Sequence, residues 1–175
     1  MNICIYGASS DQIAEIYKSE SEKLGEALAQ KGHALVFGGG PYGVMAASAR
    51  GFYKGGGKII AVTPTFFTVG RPLFPHCDEI IYTETMRQRK EKLEQLSDAF
   101  IAAPGGIGTM DELFEIFTLR TLNRHQKPVI LWNLNGCYDR LIDLLSDFVQ
   151  QGFLPEQGLS MLGIAETVED VLKLL

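Results

Sequence analysis

With 175 residues, of which 46% are hydrophobic and 21% charged, the chain has the length and balance of one globular domain, residues 1–175, and not of a disordered or fibrous protein. A net charge of −5 gives no broad basic footprint for nucleic acid, so any anionic ligand must be held by local features. The apolar runs are too short to span a bilayer, and a strand-like start without a basic, apolar leader makes the cytoplasm the expected compartment.

The first apolar run, Asn2–Tyr6, reads as a strand and ends in Gly7-Ala8-Ser9-Ser10. A helical period follows over about 11–31, with Ile13, Ile16, Tyr17, Leu24 and Leu28 near one face and Gly32 as its C-cap. Ala34–Phe37 is the second strand, followed by Gly38-Gly39-Gly40-Pro41-Tyr42-Gly43 and a helix over about 42–54. The third strand, 58–62, leads into an irregular stretch, 63–78, with three prolines; a loop of that length is unusual in a compact domain and is expected to overhang a ligand cleft. Then come a strand at 79–82, a helix over Met86–Leu96, and a strand at 99–103 that ends in Pro104-Gly105-Gly106-Ile107-Gly108-Thr109. A helix at 110–123, a strand at Val129–Trp132 and helices at 138–151 and 166–175 close the chain.

Most of these strands are apolar on successive residues, as strands covered on both faces must be. Alternation of strand and helix predicts an α/β fold: a doubly wound, Rossmann-like parallel sheet with helices on both faces. In such sheets ligands sit beyond the C-terminal strand ends. Three of those ends are glycine- or serine-rich and precede helices, whose first amides attract anions, so a phosphate-bearing ligand is expected.

Gly38, Gly40 and Gly43 form a G-x-G-x-x-G, but the next strand ends without the carboxylate that a dinucleotide's ribose requires, and neither glycine loop carries the Lys-Ser/Thr of a P-loop. Cys4, Cys77 and Cys137 are isolated, with no zinc-ligand spacing, and the aspartates are scattered; the expectation is reduced thiols and no metal site. Asp111, Glu112 and Glu115 follow the third glycine turn, where carboxylates commonly serve the helix dipole. Arg89 and Lys90 could clamp a phosphate or simply face solvent among Glu91, Lys92 and Glu94.

Taken together, Gly38-Gly39-Gly40-Pro41-Tyr42-Gly43-Val44-Met45, Met86-Arg87-Gln88-Arg89-Lys90 and Pro104-Gly105-Gly106-Ile107-Gly108-Thr109-Met110-Asp111-Glu112 resemble the Lonely guy family of cytokinin riboside 5'-monophosphate phosphoribohydrolases. The P-G-G-x-G-T-x-x-E signature is matched in full, and the likeness runs from Ile3 through His125-Gln126-Lys127-Pro128 to the C-terminus. The resemblance implies cleavage of the N-glycosidic bond of a nucleoside 5'-monophosphate to free base and ribose 5-phosphate. Arg89 and Glu112 would be catalytic. Ser9, Gly39, Gly40, Met86, Lys90, Gly105, Gly106, Ile107, Gly108, Thr109, Glu115 and Thr118 would bind substrate, with no cofactor and no metal. Such proteins are often labelled lysine decarboxylase-like, which the sequence argues against, because Lys90 is the one lysine near these loops and a Schiff-base enzyme needs a lysine in a cofactor cradle.

Members are usually homodimers or larger, and the helices around 42–52 and 113–122 are candidate interfaces. Plant-type members carry Pro-x-Glu after the third strand where this chain has Pro64-Thr65-Phe66-Phe67, which leaves AMP and an isopentenylated nucleotide equally plausible. A non-catalytic nucleotide-binding protein and a ribose-5-phosphate transferase are the competing readings.

Overall fold

In the first strand, β1 (Asn2–Tyr6), Ile3 and Ile5 point to one face and Cys4 and Tyr6 to the other, and all four are buried. This is the two-residue period of a strand covered on both sides. The structure is a computed structural model and describes residues 1–68 and 72–175.

The remaining elements follow in order: α1 (Glu15–Gln30), β2 (Ala34–Phe37), α2 (Gly43–Lys54), β3 (Ile59–Pro64), the one-turn α3 (Thr65–Thr68), β4 (Glu79–Thr83), α4 (Met86–Leu96), β5 (Ala99–Ala102), α5 (Ile107–Thr121) and β6 (Val129–Trp132). A 3-10 turn at Leu134–Gly136, α6 (Asp139–Gln150), α7 (Glu156–Leu159), β7 (Leu162–Ala165) and α8 (Val168–Leu174) complete the chain. The strands form one seven-stranded parallel sheet in the order β4-β3-β2-β1-β5-β6-β7.

Leu24 and Leu28 of α1, Val44, Ala46, Ala49 and Phe52 of α2, and Val171 of α8 cover the face that carries Ile3 and Ile5. Leu93 of α4, Leu113, Ile116 and Phe117 of α5, and Leu145 of α6 cover the face that carries Cys4 and Tyr6. Winding runs outward from β1 to β4 and then reverses at β5, which pairs with β1 from Ile3↔Ala99 to Tyr6↔Ala102. The crevice of a doubly wound sheet opens at such a reversal.

The fold is the expected doubly wound α/β sheet, with differences at its edges. The first helix starts at Glu15 and not near 11, the Asp11 carboxylate instead accepting the Gly43 N–H, and Ile16 on the helix is 41% exposed. α5 starts at Ile107, three residues before the expected 110, so Gly108 lies inside its first turn. β7 was not anticipated: it is four residues long, holds Gly163, and buries only Leu162 and Ala165. The 63–78 stretch contains the end of β3 and α3 and is irregular over its remaining described residues; 69–71 lie outside the described residues. Among the described residues, no helix is long and apolar enough to cross a membrane.

Candidate active site

β2, β1 and β5 are neighbours in the sheet, so the three glycine- or serine-rich loops that follow them meet at one edge. The side chains that face this edge come from α4 and α5, and local sequence fixes both helices. A capping box starts α4: Thr85 Oγ1 accepts the Gln88 N–H at 3.2 Å while Gln88 Oε1 accepts the Thr85 N–H at 3.2 Å. Arg89 and Leu93 are the buried residues of this otherwise polar helix, four apart and hence on one face. Arg89 therefore stands where a core aliphatic residue would.

Its guanidinium is used in full view of the sheet end. Nε donates to the Val62 carbonyl at 3.2 Å, and Nη1 donates to Glu112 Oε1 at 2.5 Å. The two side chains are 8% and 10% exposed. Glu112 lies on the inward stripe of α5, between Thr109 one turn before and Ile116 one turn after. Burial raises its carboxyl above the ordinary range, and the Arg89 charge pulls it back down. Behind it, Tyr6, Lys90, Glu94, Glu115, Ile116 and Leu119 close a cavity of only about 10 Å³, so the carboxylate has little water on that side. Tyr6 and Cys4 are also desolvated there, the Tyr6 hydroxyl well above its usual range and the Cys4 thiol pushed up to about 12. Both stay neutral.

Gly38 makes room for this arrangement, since a Cβ there would overlap Arg89 Nη2. The two glycine-led helices then differ at their N-termini. At α2, the Gly43 N–H donates to Asp11 Oδ1 at 2.8 Å, and Gly43 has φ +64° with a Cβ position only 2.5 Å from the Ala8 carbonyl oxygen. The protein's own carboxylate thus fills the end to which the G-x-G-x-x-G leads. At α5, Gly106 is the N-cap with no side-chain cap, and no acidic residue sits in the first turn. An uncapped N-terminus presents free N–H groups and a positive dipole end.

Two neighbouring clefts flank the β1 loop. One, of about 450 Å³, is lined by Ser9, Gly40, Tyr42, Met45, Phe67 and Arg89 among others. The other, of about 350 Å³, is bounded by Ala8, Ser10, Tyr17, Gly105, Gly106 and Cys137. The described ends of the 63–78 stretch, Phe67, Pro72 and Leu73, do wall the first cleft. Where plant-type members of the resembled family have glutamate, Phe66 is half exposed, and it is its neighbour Phe67 that faces the cleft.

Several predicted residues lie elsewhere. Gly39 is buried in its turn with φ +79°, its carbonyl accepting the Phe74 N–H at 3.0 Å. Met86 and Thr118 line neither cleft; Met86 is half-buried and Thr118 exposed. Ile107 and Gly108 are exposed on the first turn of α5, while Thr109 is buried against Gly105. Lys90 turns away from Arg89 and pairs with Asp111 at 3.1 Å and with Glu115. Asp111 is thus an ion-pair partner across to α4, beyond any dipole effect. The sequence marks Gly38 as part of a ligand-facing loop but not as the seat of Arg89, and it does not single out the Val62 carbonyl or Asp11 as parts of the site. Among the described residues, no group of three or more His, Cys, Asp or Glu could hold a metal ion.

A doubly wound sheet with an open phosphate-type helix end beside a buried Arg–Glu pair defines a class: proteins that bind small phosphorylated ligands at the reversal of the sheet. A family model described as possible lysine decarboxylase matches residues 45–175. The chain is 37% identical over 172 residues to the cytokinin riboside 5'-monophosphate phosphoribohydrolase of Mycobacterium tuberculosis, covering 98% of this chain and 91% of that one. It is 35% identical over 170 residues to the probable enzyme of that name, LOGL5, of Oryza sativa subsp. japonica, covering 97% and 69%. The chain belongs to this family of cytokinin riboside 5'-monophosphate phosphoribohydrolases.

Among solved structures it is similar to the molybdenum cofactor binding protein of Rippkaea orientalis, with TM-score 0.74, 26% identity and coverage of 99% and 93%. The molybdenum cofactor carrier protein of Chlamydomonas reinhardtii, at TM-score 0.75, 22% identity and coverage of 98% and 93%, shares the fold. The decarboxylase description does not fit these side chains. A pyridoxal-phosphate enzyme needs a lysine amine that can lose its proton, whereas the hydrogen bonds that Lys90 Nζ donates to Glu115 and Asp111 raise its pKa and hold the proton on.

Proposed function

We propose that this chain hydrolyses the N-glycosidic bond of a purine nucleoside 5'-monophosphate, releasing the base and ribose 5-phosphate. The observation that carries the reading is the buried Arg89–Glu112 pair beside the open N-terminus of α5. Breaking the bond from C1' to the base nitrogen builds positive charge on the ribose, which a carboxylate stabilises while drawing a proton from the attacking water. General-base help of this kind contributes roughly 10²–10⁴-fold, and the poorly hydrated surroundings of Glu112 strengthen its field on a developing cation. Arg89 keeps that carboxylate ionised and oriented. The amides of Gly106, Ile107, Gly108 and Thr109 take the 5'-phosphate, and the cleft walled by Met45, Phe67 and Leu73 takes the base. The glycine turn and the acidic helix then address different parts of one ligand, its phosphate and its ribose.

Incubating the protein with AMP and with cytokinin riboside monophosphates, and separating free base by chromatography, tests this. Base and ribose 5-phosphate appear in equal amounts; absence of base at enzyme concentrations comparable to substrate overturns the reading. A second reading, binding without turnover, draws on the likeness to a molybdenum cofactor binding protein. It yields saturable binding of AMP with no base released. A transferase is separated from both by adding acceptor bases and following exchange.

We further infer a homodimer joined through α5. Val44, Ala46, Ala47, Ala49 and Phe52 of α2 are buried in the chain's own core, with Tyr53 exposed at its end, whereas α5 leaves Ile107 89% and Phe114 36% exposed and its C-cap Leu122 is 61% exposed.

A further inference from the structure

One buried hydroxyl, that of Tyr138, touches the glycine turn from inside the protein. Tyr138 follows the 3-10 turn after β6 and is 6% exposed. Its hydroxyl donates to the Ala103 carbonyl at 2.8 Å, with the Gly105 carbonyl as a second acceptor at 3.4 Å. The residue is itself fixed from behind: its N–H donates to Asn133 Oδ1 at 2.7 Å, and Asn133 Nδ2 donates to Asp139 Oδ1 at 2.8 Å. Asn133 is 4% exposed, and its own N–H donates to the Ala165 carbonyl of β7 at 2.7 Å. A chain of hydrogen bonds thus runs from β7 to the turn between β5 and α5.

A peptide unit is planar and trans, so its C=O and N–H point in opposite directions. A Gly105 carbonyl that faces inward toward Tyr138 therefore turns the Gly106 N–H outward, at the uncapped start of α5. On the other side, the same turn is held to β1 by the Ala8 N–H, which donates to the Pro104 carbonyl at 3.0 Å. The turn is thus held at the Pro104 carbonyl from the β1 side and approached at the Gly105 carbonyl from the Tyr138 side.

We propose that Tyr138 is a positioning residue for phosphate recognition: its hydroxyl holds the Gly105 carbonyl inward and so presents the Gly106 N–H to the phosphate of the substrate. The proposal rests on the phosphoribohydrolase reading for the identity of that substrate, but not for the geometry of the turn.

The test is Tyr138→Phe, which keeps the ring and removes the donor. Its KM for AMP rises roughly 5–10-fold with kcat changed less than about twofold, the pattern of lost ground-state binding. The dissociation constant for ribose 5-phosphate, measured by calorimetry, rises in parallel, while competitive inhibition by adenosine, which lacks the phosphate, is unchanged. Replacement by 4-aminophenylalanine, which restores an N–H donor at the same ring position, recovers the wild-type values. Unchanged ribose 5-phosphate affinity in Tyr138→Phe, or an equal loss for adenosine, overturns the proposal. If the wild type releases no base from any nucleotide, the phosphoribohydrolase reading fails, and the calorimetric arm still decides the role of Tyr138.

Discussion

Arg89 and Glu112 meet at 2.5 Å, although 23 residues separate them and neither helix that carries them is defined by the pair. Both side chains occupy positions on inward helical faces that would ordinarily be apolar. A buried pair of this kind is seldom a net source of stability, because desolvation of the two charges offsets most of their attraction. A core-facing pair that adds little stability fits the proposed chemistry. Glu112→Ala should therefore lower kcat by roughly 10²–10⁴-fold while ribose 5-phosphate still binds, as read by initial rates and calorimetry. Equal loss of turnover and of binding would count against a transition-state role.

Removing the other partner should also affect stability. Arg89→Ala leaves Glu112 buried without its hydrogen-bonding cation, and truncating one side of such a pair costs about 3–5 kcal/mol. Urea denaturation of the variant and of Arg89→Ala/Glu112→Ala reads the coupling, since the double variant recovers part of the loss.

The pH dependence has a definite sign. Burial raises the Glu112 carboxyl, so the folded protein protonates it at a higher pH than the unfolded chain does. The ionised form costs stability at high pH, a cost that is relieved as pH falls through the raised value. Turnover, which needs the carboxylate, is lost on the same descent, so the acid limb of kcat/KM lies above the ordinary carboxylate range. Asp111→Asn removes a neighbouring negative charge that raises Glu112 and moves this limb down. Rate profiles of the two proteins across the acid range check both statements.

Gly38→Ala tests the seat of the arginine. A Cβ there overlaps Arg89 Nη2, while the strand before it is untouched. Displacement of a positioned group by an ångström can cost about 10²-fold. The expected result is a loss of kcat/KM of that order with a far-ultraviolet spectrum like that of the wild type.

Asp11→Ala should destabilise the protein by about 0.5–2 kcal/mol, the cost of losing a helix N-terminal acceptor, because its carboxylate accepts the Gly43 N–H. Thermal denaturation reads it, and AMP turnover stays near wild type if the phosphate goes to α5 as proposed.

Chain order and apolar runs were enough to foresee the doubly wound sheet, since strands buried on both faces must read as continuous apolar stretches. The weakest strand, β7, escaped notice because four residues with a glycine among them carry almost no period. For the site, the three loops were legible because glycine and serine cluster where a strand turns into a helix. Which of two glycine-led helices stays open to an anion was not legible. Asp11 lies 32 residues from Gly43, and only folding brings its carboxylate to that helix end. For Glu112 and Asp111, adjacent in sequence and alike in charge, the resemblance already marks Glu112 but not the partner of either. The helical turn sends one inward to Arg89 and the other outward to Lys90. Residue type and spacing determined which groups could do chemistry; the packing of α4 against α5 decided which were taken out of water, and desolvation is what separates a catalytic carboxylate from a solvated one.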